Sequence, residues 1–140
     1  MKIVSHSAEE TKELAYAFAK TVQPGATLAF FGDLGTGKTT FVRYLTEAIT
    51  GQDPDSVASP TFQYLNIYEG KTPIYHFDLY RLKDENDFVF LGFDEFLGST
   101  GISCIEWAER IADLLPPNTI RISITHQEEE KRLIDIQEAV

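Results

Sequence analysis

A glycine-rich segment between an apolar run and an amphipathic segment constrains this chain more than any other feature. Residues 32–39 read Gly-Asp-Leu-Gly-Thr-Gly-Lys-Thr and match the pattern G-x-x-x-x-G-K-[ST] in full. The continuous apolar run at 26–31 precedes them and predicts a strand that is buried on both faces. Apolar residues at helical spacing follow, from Phe41 to Ile49, and predict a helix that ends at Gly51. A strand, a glycine-rich turn and a helix start in this order are typical of a loop that binds the phosphates of a nucleotide.

The residue types in this loop each have a predicted role in holding ATP with Mg²⁺. Glycines let backbone N–H groups converge on phosphate oxygens, and the helix N-terminus adds its positive dipole end. We expect Lys38 to reach the β- and γ-phosphates, the Thr39 hydroxyl to bind Mg²⁺, and Thr40 to lie near the α-phosphate. The other loop residues that we predict to bind the nucleotide are Asp33, Leu34, Gly35, Thr36 and Gly37. The alternative is an ordinary glycine-rich turn between a strand and a helix.

Two acidic residues at the ends of apolar runs are candidates for the carboxylates that such a site requires. Asp78 follows the run 74–77, and Glu106 follows the run 102–105. In a parallel sheet, a carboxylate that serves the metal or the attacking group should stand at the C-terminal end of a strand near the loop. Either residue could instead be a surface charge at a strand end. The spacing alone does not say which of the two is nearer the metal.

The segment Ser59-Pro60-Thr61-Phe62 lies between the predicted loop helix and the next strand, where switch segments of nucleotide-binding proteins occur. Thr61 could sense the γ-phosphate or complete the Mg²⁺ shell, although the same letters also fit a simple proline turn. His76 lies in an apolar run, and such a histidine is more often packed in a strand than catalytic.

The rest of the chain predicts one α/β domain over residues 1–140 with a mixed sheet flanked by helices, as in P-loop NTPases. Ser7 and Glu10 fit a capping box at the start of a first helix. We further predict strands at 2–6, 62–69, 73–78 and 102–106 and helices within 84–97 and 108–115. Strict alternation of isoleucines at 120–124 and 134–136 predicts a C-terminal β-hairpin.

Composition limits the classes of partner and compartment. No apolar run is long enough to span a bilayer, and the N-terminus lacks the apolar stretch of a signal peptide, so we expect a cytoplasmic protein without membrane contact. The formal net charge is −10, with 12 basic against 22 acidic residues. Proteins that grip nucleic acid directly usually have a basic patch. We therefore expect no direct binding of nucleic acid, and any link to it would run through a partner.

Four blocks of the sequence together resemble the TsaE (YjeE) family of bacterial ATPases. They occur in family order and are 32–40, 59–62, 76–82 (His-Phe-Asp-Leu-Tyr-Arg-Leu) and 105–109 (Ile-Glu-Trp-Ala-Glu). The resemblance implies an ATP-binding and ATP-hydrolysing accessory protein for threonylcarbamoylation of adenosine 37 in tRNAs that read codons starting with A. It also implies that the protein acts with TsaB and TsaD, that TsaD performs the transfer, and that tRNA is reached only through this complex.

The resemblance also implies roles for single residues. Asp78 and Glu106 look like the two acids at the metal and the attacking water, and we favour Glu106 for Mg²⁺ and Asp78 for catalysis. Thr61 looks like a switch threonine. Thr11 and Arg132 match family positions that we expect near the adenosine. Thr36 departs from the family, which usually has alanine there.

Two other functions compete with this reading. A small-molecule P-loop kinase usually closes a lid with several arginines over the transferred phosphate, and no arginine-rich lid segment occurs here. A GTPase switch would carry Asn-Lys-x-Asp and Asp-x-x-Gly segments, which are both missing from the sequence.

Overall fold

The computed structural model describes residues 1–33, 35–60 and 62–138. In chain order, the strands are β1 (Lys2–Ser5), β2 (Thr27–Phe31), β3 (Leu65–Tyr68), β4 (Ile74–Asp78), β5 (Ile102–Glu106), β6 (Ile120–His126) and β7 (Arg132–Gln137). The α-helices are α1 (Ala8–Ala19), α2 (Lys38–Thr50) and α3 (Glu85–Phe90). Short 3₁₀ segments lie at Pro54–Ser56, Phe93–Phe96 and Ala108–Leu114.

The strands form one seven-stranded mixed sheet in the order β1-β7-β6-β2-β5-β4-β3. The central pairs β2–β6, β2–β5 and β4–β5 are parallel, and the pairs toward both edges are antiparallel. The fold class and the C-terminal hairpin of β6 and β7 are therefore as predicted. Because β2, β4 and β5 run in the same direction, the loop after β2 and the last residues of β4 and β5 meet at one edge of the sheet.

Apolar side chains cover both faces of the sheet, which explains why the central strands read as continuous apolar runs. On one face, α1 and α2 pack through residues such as Phe18, Phe41 and Leu45. On the other face, an aromatic group around Phe77 and Phe88 packs with Ile105. Both layers fix β2, β4 and β5, and these three strands lead into the predicted site.

The first helix begins as predicted, with one change in the cap. The Ser7 hydroxyl accepts a hydrogen bond from the backbone N–H of Glu10 at 3.1 Å. The Glu10 carboxylate accepts from the backbone N–H of His6 at 2.8 Å, one residue before the position that a regular capping box uses. That bond, together with the His6 side chain, lowers the pKa of Glu10.

Two predicted elements differ in detail from the structure. The strand predicted from residue 62 begins only at Leu65, because Tyr64 has a positive φ of 67° and its N–H bonds the carbonyl of Pro60 at 2.7 Å. The helix predicted over 108–115 is a 3₁₀ segment that is kinked at Ile111, where φ is −129°. Among the described residues, no helix is both long enough and apolar enough to cross a membrane.

Candidate functional site

The turn between β2 and α2 has the backbone geometry that its glycines make possible. Gly32 has a φ of 145°, and a Cβ there would lie 2.4 Å from the carbonyl oxygen of Ile124. Gly35 and Gly37 have φ values of 80° and 106°, and open space surrounds the position of a Cβ at both. Gly32 is therefore required both by its backbone conformation and by close packing, whereas Gly35 and Gly37 are required by backbone conformation alone. Leu34, which we predicted to bind the nucleotide, lies outside the described residues.

Lys38 is the first residue of α2, and its ammonium is directed back into the turn. Its Nζ donates to the carbonyl of Gly32 at 2.6 Å and lies 4.1 Å from the centroid of the Trp107 ring. Only 4% of the residue is exposed. Burial lowers the pKa of Lys38 below its ordinary value, and nearby carboxylates, Glu106 first among them, oppose this shift. Lys38 thus presents a largely desolvated positive charge beside the turn, where an anion would gain most from it.

The hydroxyl of Thr39 faces the carboxylate of Glu106. Its Oγ1 lies 3.1 Å from Oε1 and 3.2 Å from Oε2 of Glu106. Glu106 is the last residue of β5 and is 4% exposed. Hydroxyl and carboxylate oxygens are ligands that Mg²⁺ accepts, and Mg²⁺ usually keeps only one or two protein ligands beside phosphate and water. The pair therefore fits the predicted metal position, and within the described residues no cluster of three or more His, Cys, Asp or Glu could hold a metal by itself.

Asp78 ends β4 directly beside Glu106 in the parallel register. Its Oδ1 accepts the backbone N–H of Tyr80 at 3.0 Å, and its Oδ2 accepts a short hydrogen bond from the hydroxyl of Ser59. The two predicted acids are thus neighbours across one strand pair. Sequence reasoning assigned no role to Ser59, although it belongs to the same segment as Thr61. Thr61, the predicted switch residue, lies outside the described residues.

One cavity of about 400 Å³ collects most of the predicted site. Its lining residues are Gly35, Gly37, Lys38, Thr39, Thr40, Ser59, Asp78, Glu106, Trp107 and Arg132. Two basic side chains, three hydroxyls and two carboxylates line this space, so it offers groups that can bind phosphate beside groups that can serve a metal or a water. The roles of the single residues stay predictions.

A smaller cavity of about 180 Å³ shares Gly37, Thr40 and Arg132 with the first and is lined by the residues predicted near adenosine. Thr11 and Arg132 both line it, together with Thr36, Gly37 and Thr40. Arg132 Nε donates to the carbonyl of Thr36 at 3.0 Å, so the C-terminal hairpin is tied to the turn. The Thr11 hydroxyl is hydrogen-bonded to that of Ser5 at 2.7 Å.

Asp33 and Thr36 close the turn upon itself. The Thr36 hydroxyl donates to the carbonyl of Asp33 at 2.9 Å, and the Thr36 N–H bonds the same oxygen at 3.4 Å. An alanine at position 36 would keep only the second bond. The departure of this chain from the usual alanine therefore adds one hydrogen bond within the turn.

Besides Ser59, sequence reasoning missed the contact of His76 with Glu106. Nε2 of His76 lies 2.5 Å from Oε2 of Glu106, and both side chains are buried. The spacing of two between His76 and Asp78 could have signalled this, because side chains two apart in a strand share one face.

The sequence matches the family model described as "Threonylcarbamoyl adenosine biosynthesis protein TsaE" over residues 5–134. The chain belongs to the TsaE family. A TsaE protein of Rickettsia bellii, described as a tRNA threonylcarbamoyladenosine biosynthesis protein, is 43% identical over 136 residues, covering 95% of this chain and 92% of the relative. A Bacillus subtilis TsaE with the same description is 39% identical over 127 residues, covering 90% of this chain and 78% of the relative.

The crystal structure of Bacillus subtilis YdiB has the same fold, with a TM-score of 0.80 and 30% sequence identity. The match covers 100% of this chain and 86% of YdiB. The predicted membership in the TsaE family and the predicted fold class are both confirmed. For this TsaE chain, family membership indicates a role in tRNA processing, in the pathway that makes threonylcarbamoyladenosine.

Proposed function

We propose that this TsaE protein binds and hydrolyses ATP as an accessory factor for threonylcarbamoylation of adenosine 37 in tRNAs that read codons starting with A. The observation that carries the proposal is the convergence of Lys38, the Thr39–Glu106 pair and Asp78 on one cavity beside the glycine turn. Family membership supplies the pathway. The proposed cofactor is Mg²⁺, the substrate is ATP, and the site of action is the cytoplasm.

The residues divide the work of phosphoryl transfer between binding and charge neutralisation. Lys38 would exchange the Gly32 carbonyl for the β- and γ-phosphate oxygens of ATP, and the backbone N–H groups of the turn would hold the same phosphates. Thr39 and Glu106 would hold Mg²⁺, which when bound neutralises charge on the phosphates. Thr11 and Arg132 would border the adenosine.

Asp78 is the residue that we assign to the attacking water. Its carboxylate would orient the water and take its proton while the water oxygen bonds to the γ-phosphorus and the bond from that phosphorus to ADP breaks. In the present structure Ser59 and the Tyr80 N–H hold this carboxylate. Because Ser59 engages Oδ2 in this arrangement, we expect slow hydrolysis by the protein alone.

In this proposal, partner proteins bind the tRNA and carry out the transfer of the threonylcarbamoyl group. With a net charge of −10 the protein is poorly suited to grip tRNA itself. We infer that it acts on a complex of TsaB and TsaD, in which TsaD transfers the threonylcarbamoyl group and ATP hydrolysis by TsaE keeps the complex cycling.

The decisive experiment measures ATP hydrolysis and tRNA modification by the purified protein, alone and with TsaB and TsaD. We expect the partners to raise the ATPase rate well above that of the free protein, and we expect modification to require TsaE and ATP. Lys38→Ala should lose both effects, whereas Lys20→Ala, an exposed lysine away from the cavity, should keep them. Equal ATPase rates with and without the partners would contradict the proposal.

A further inference from the structure

His76 lies in the middle of β4 and is fully buried, although its side chain is polar. In the parallel register His76 pairs with Cys104 of β5. Its ring contacts Glu106, which lies two residues further along the same strand. The distance from His76 Nε2 to Glu106 Oε2 is 2.5 Å. Burying a polar side chain in a sheet core costs free energy unless it is hydrogen-bonded, and the His76 ring is hydrogen-bonded to the Glu106 carboxylate.

The surroundings of the other ring nitrogen indicate which atom donates the hydrogen bond between His76 and Glu106. His76 Nδ1 is shielded from solvent and has no hydrogen-bond partner among the described residues. An ionised carboxylate can only accept, so Nε2 must carry the proton of the bond to Glu106. With a proton on Nε2 alone, Nδ1 is unprotonated, so the ring buries no N–H without an acceptor.

The Glu106 carboxylate is therefore held from two directions. Thr39 donates from the side of the turn, at 3.1 Å to Oε1, and His76 donates from inside the sheet to Oε2. Glutamate has three side-chain torsions, and a carboxylate held at one end only could rotate away from the Thr39 hydroxyl. Partners of this kind around a metal-binding carboxylate typically change metal affinity or activity by roughly 10- to 100-fold when removed.

We propose that His76 is a positioning residue that orients Glu106 toward Thr39, so that the pair can receive Mg²⁺ together with ATP. The inference rests on the proposed function, because it assumes that Glu106 is the Mg²⁺ acid. A purely structural His76 would fill space in the sheet and leave the Mg²⁺ requirement of nucleotide binding unchanged.

The test compares two substitutions of similar size. His76→Gln keeps an N–H donor that can reach Glu106, whereas His76→Met fills the space without a donor. The readout is the affinity for ATP, which is measured by calorimetry at a series of Mg²⁺ concentrations and again in excess EDTA. We expect His76→Met to raise the half-saturating Mg²⁺ concentration by about 10- to 100-fold and to leave ATP affinity in EDTA within about twofold, and we expect His76→Gln to restore most of the Mg²⁺ response.

The chain offers a matched control in His6, whose Nδ1 lies 3.1 Å from Glu10 Oε2 on the exposed surface. His6→Met removes a surface histidine–glutamate contact that involves neither Thr39 nor Glu106, and it should leave the Mg²⁺ titration unchanged. An unchanged Mg²⁺ titration in His76→Met, or the same shift in His76→Gln as in His76→Met, would overturn the proposal.

A second measurement needs no substitution that could prevent folding. The ring ¹⁵N shifts of His76 in the unmodified protein should show a proton on Nε2 and none on Nδ1. A proton on Nδ1 with an unprotonated Nε2 would overturn the proposal.

The outcomes also distinguish a failure of the proposed function from a failure of the role proposed for His76. A Mg²⁺ shift in His76→Met without any ATP hydrolysis in the complete complex would contradict the proposed function and leave the role of His76 intact.

Discussion

The ammonium of Lys38 lies 4.1 Å from the centroid of the Trp107 ring, so a buried cation rests on an aromatic face at the edge of the site. Trp107 has a left-handed backbone with φ of 60°, which is unusual for a large side chain, and its ring also contacts that of Tyr80 at 5.0 Å. An aromatic face attracts a cation, more so when both are desolvated. The contact therefore gives Lys38 a defined position when no phosphate is present.

This contact predicts that nucleotide binding changes the fluorescence of Trp107, the single tryptophan in the sequence. When Lys38 turns from the ring and the Gly32 carbonyl to phosphate oxygens, the charge over the indole moves. We expect a saturable change in emission when ATP and Mg²⁺ are added. Lys38→Ala should abolish the change and raise the Kd for ATP strongly, while Lys20→Ala should match the unmodified protein. A normal Kd for ATP in Lys38→Ala would show that the turn does not bind phosphate as assigned.

The two acids should have separable effects on turnover. Glu106→Gln and Asp78→Asn preserve shape and remove one charge each, and we expect each to reduce the ATPase rate in the TsaB–TsaD complex on the order of 10²-fold. Because Glu106 contacts the Thr39 hydroxyl and Asp78 contacts Ser59, only Glu106→Gln should raise the Mg²⁺ requirement. Steady-state kinetics at varied Mg²⁺ distinguish the two.

The control for these acids is Asp94→Asn, which changes an exposed carboxylate that does not line the cavity. It should keep the turnover of the unmodified protein. If Asp78→Asn raised the Mg²⁺ requirement and Glu106→Gln did not, the two roles would have to be exchanged.

A side chain at Gly32 should destabilise the protein more than one at Gly98, although both glycines have a positive φ. A Cβ at Gly32 would lie 2.4 Å from the Ile124 carbonyl oxygen, whereas a Cβ at Gly98, with φ of 76°, meets open space. We expect Gly98→Ala to lower the free energy of unfolding by about 1 to 2 kcal/mol through backbone strain. Gly32→Ala should lower it by a further ~1 to 3 kcal/mol, because the added methyl forces the hairpin strand away.

Urea unfolding of the two variants and the unmodified protein measures this difference. Gly32→Ala should also weaken ATP binding, because the turn can no longer keep its shape, and Gly98→Ala should not. Equal free energies of unfolding for the two variants would mean that the close approach between the turn and β6 is not required for stability.

The sequence predicts the turn well because its signals are local. The apolar run of β2, the glycines and the helical spacing of α2 lie within one continuous stretch, and each limits the conformation of its own residues. The strand that contributes Glu106 is also visible as an apolar run that ends in an acid. Local patterns do not predict the order of the strands in the sheet, because β2 pairs with β5 and β6, which lie far along the chain.

The contacts within the site depend on that order. The Thr39–Glu106 bond joins residues that are 67 positions apart, and the His76–Glu106 bond needs the register of β4 against β5. The late start of β3 has a similar cause, since the positive φ of Tyr64 is stabilised by a bond to Pro60 that no propensity encodes. The acids could therefore be named as candidates from the sequence, but not their partners.

Arg132 offers the last test, because it links the C-terminal hairpin to both cavities. Its Nε donates to the Thr36 carbonyl at 3.0 Å, and Nη1 donates to the Lys131 carbonyl at 3.1 Å. Losing a charged hydrogen bond of this kind changes a free energy by about 1.5 kcal/mol, or roughly tenfold in Kd. We expect Arg132→Ala to weaken ATP and ADP binding equally, about tenfold, because the contact concerns the turn and the predicted adenosine side rather than the γ-phosphate. Arg121→Ala, on the same hairpin with its guanidinium 5.7 Å from the Phe31 ring centroid, is the control and should bind both nucleotides normally. A loss confined to ATP would place Arg132 at the γ-phosphate and contradict its assignment to the adenosine side.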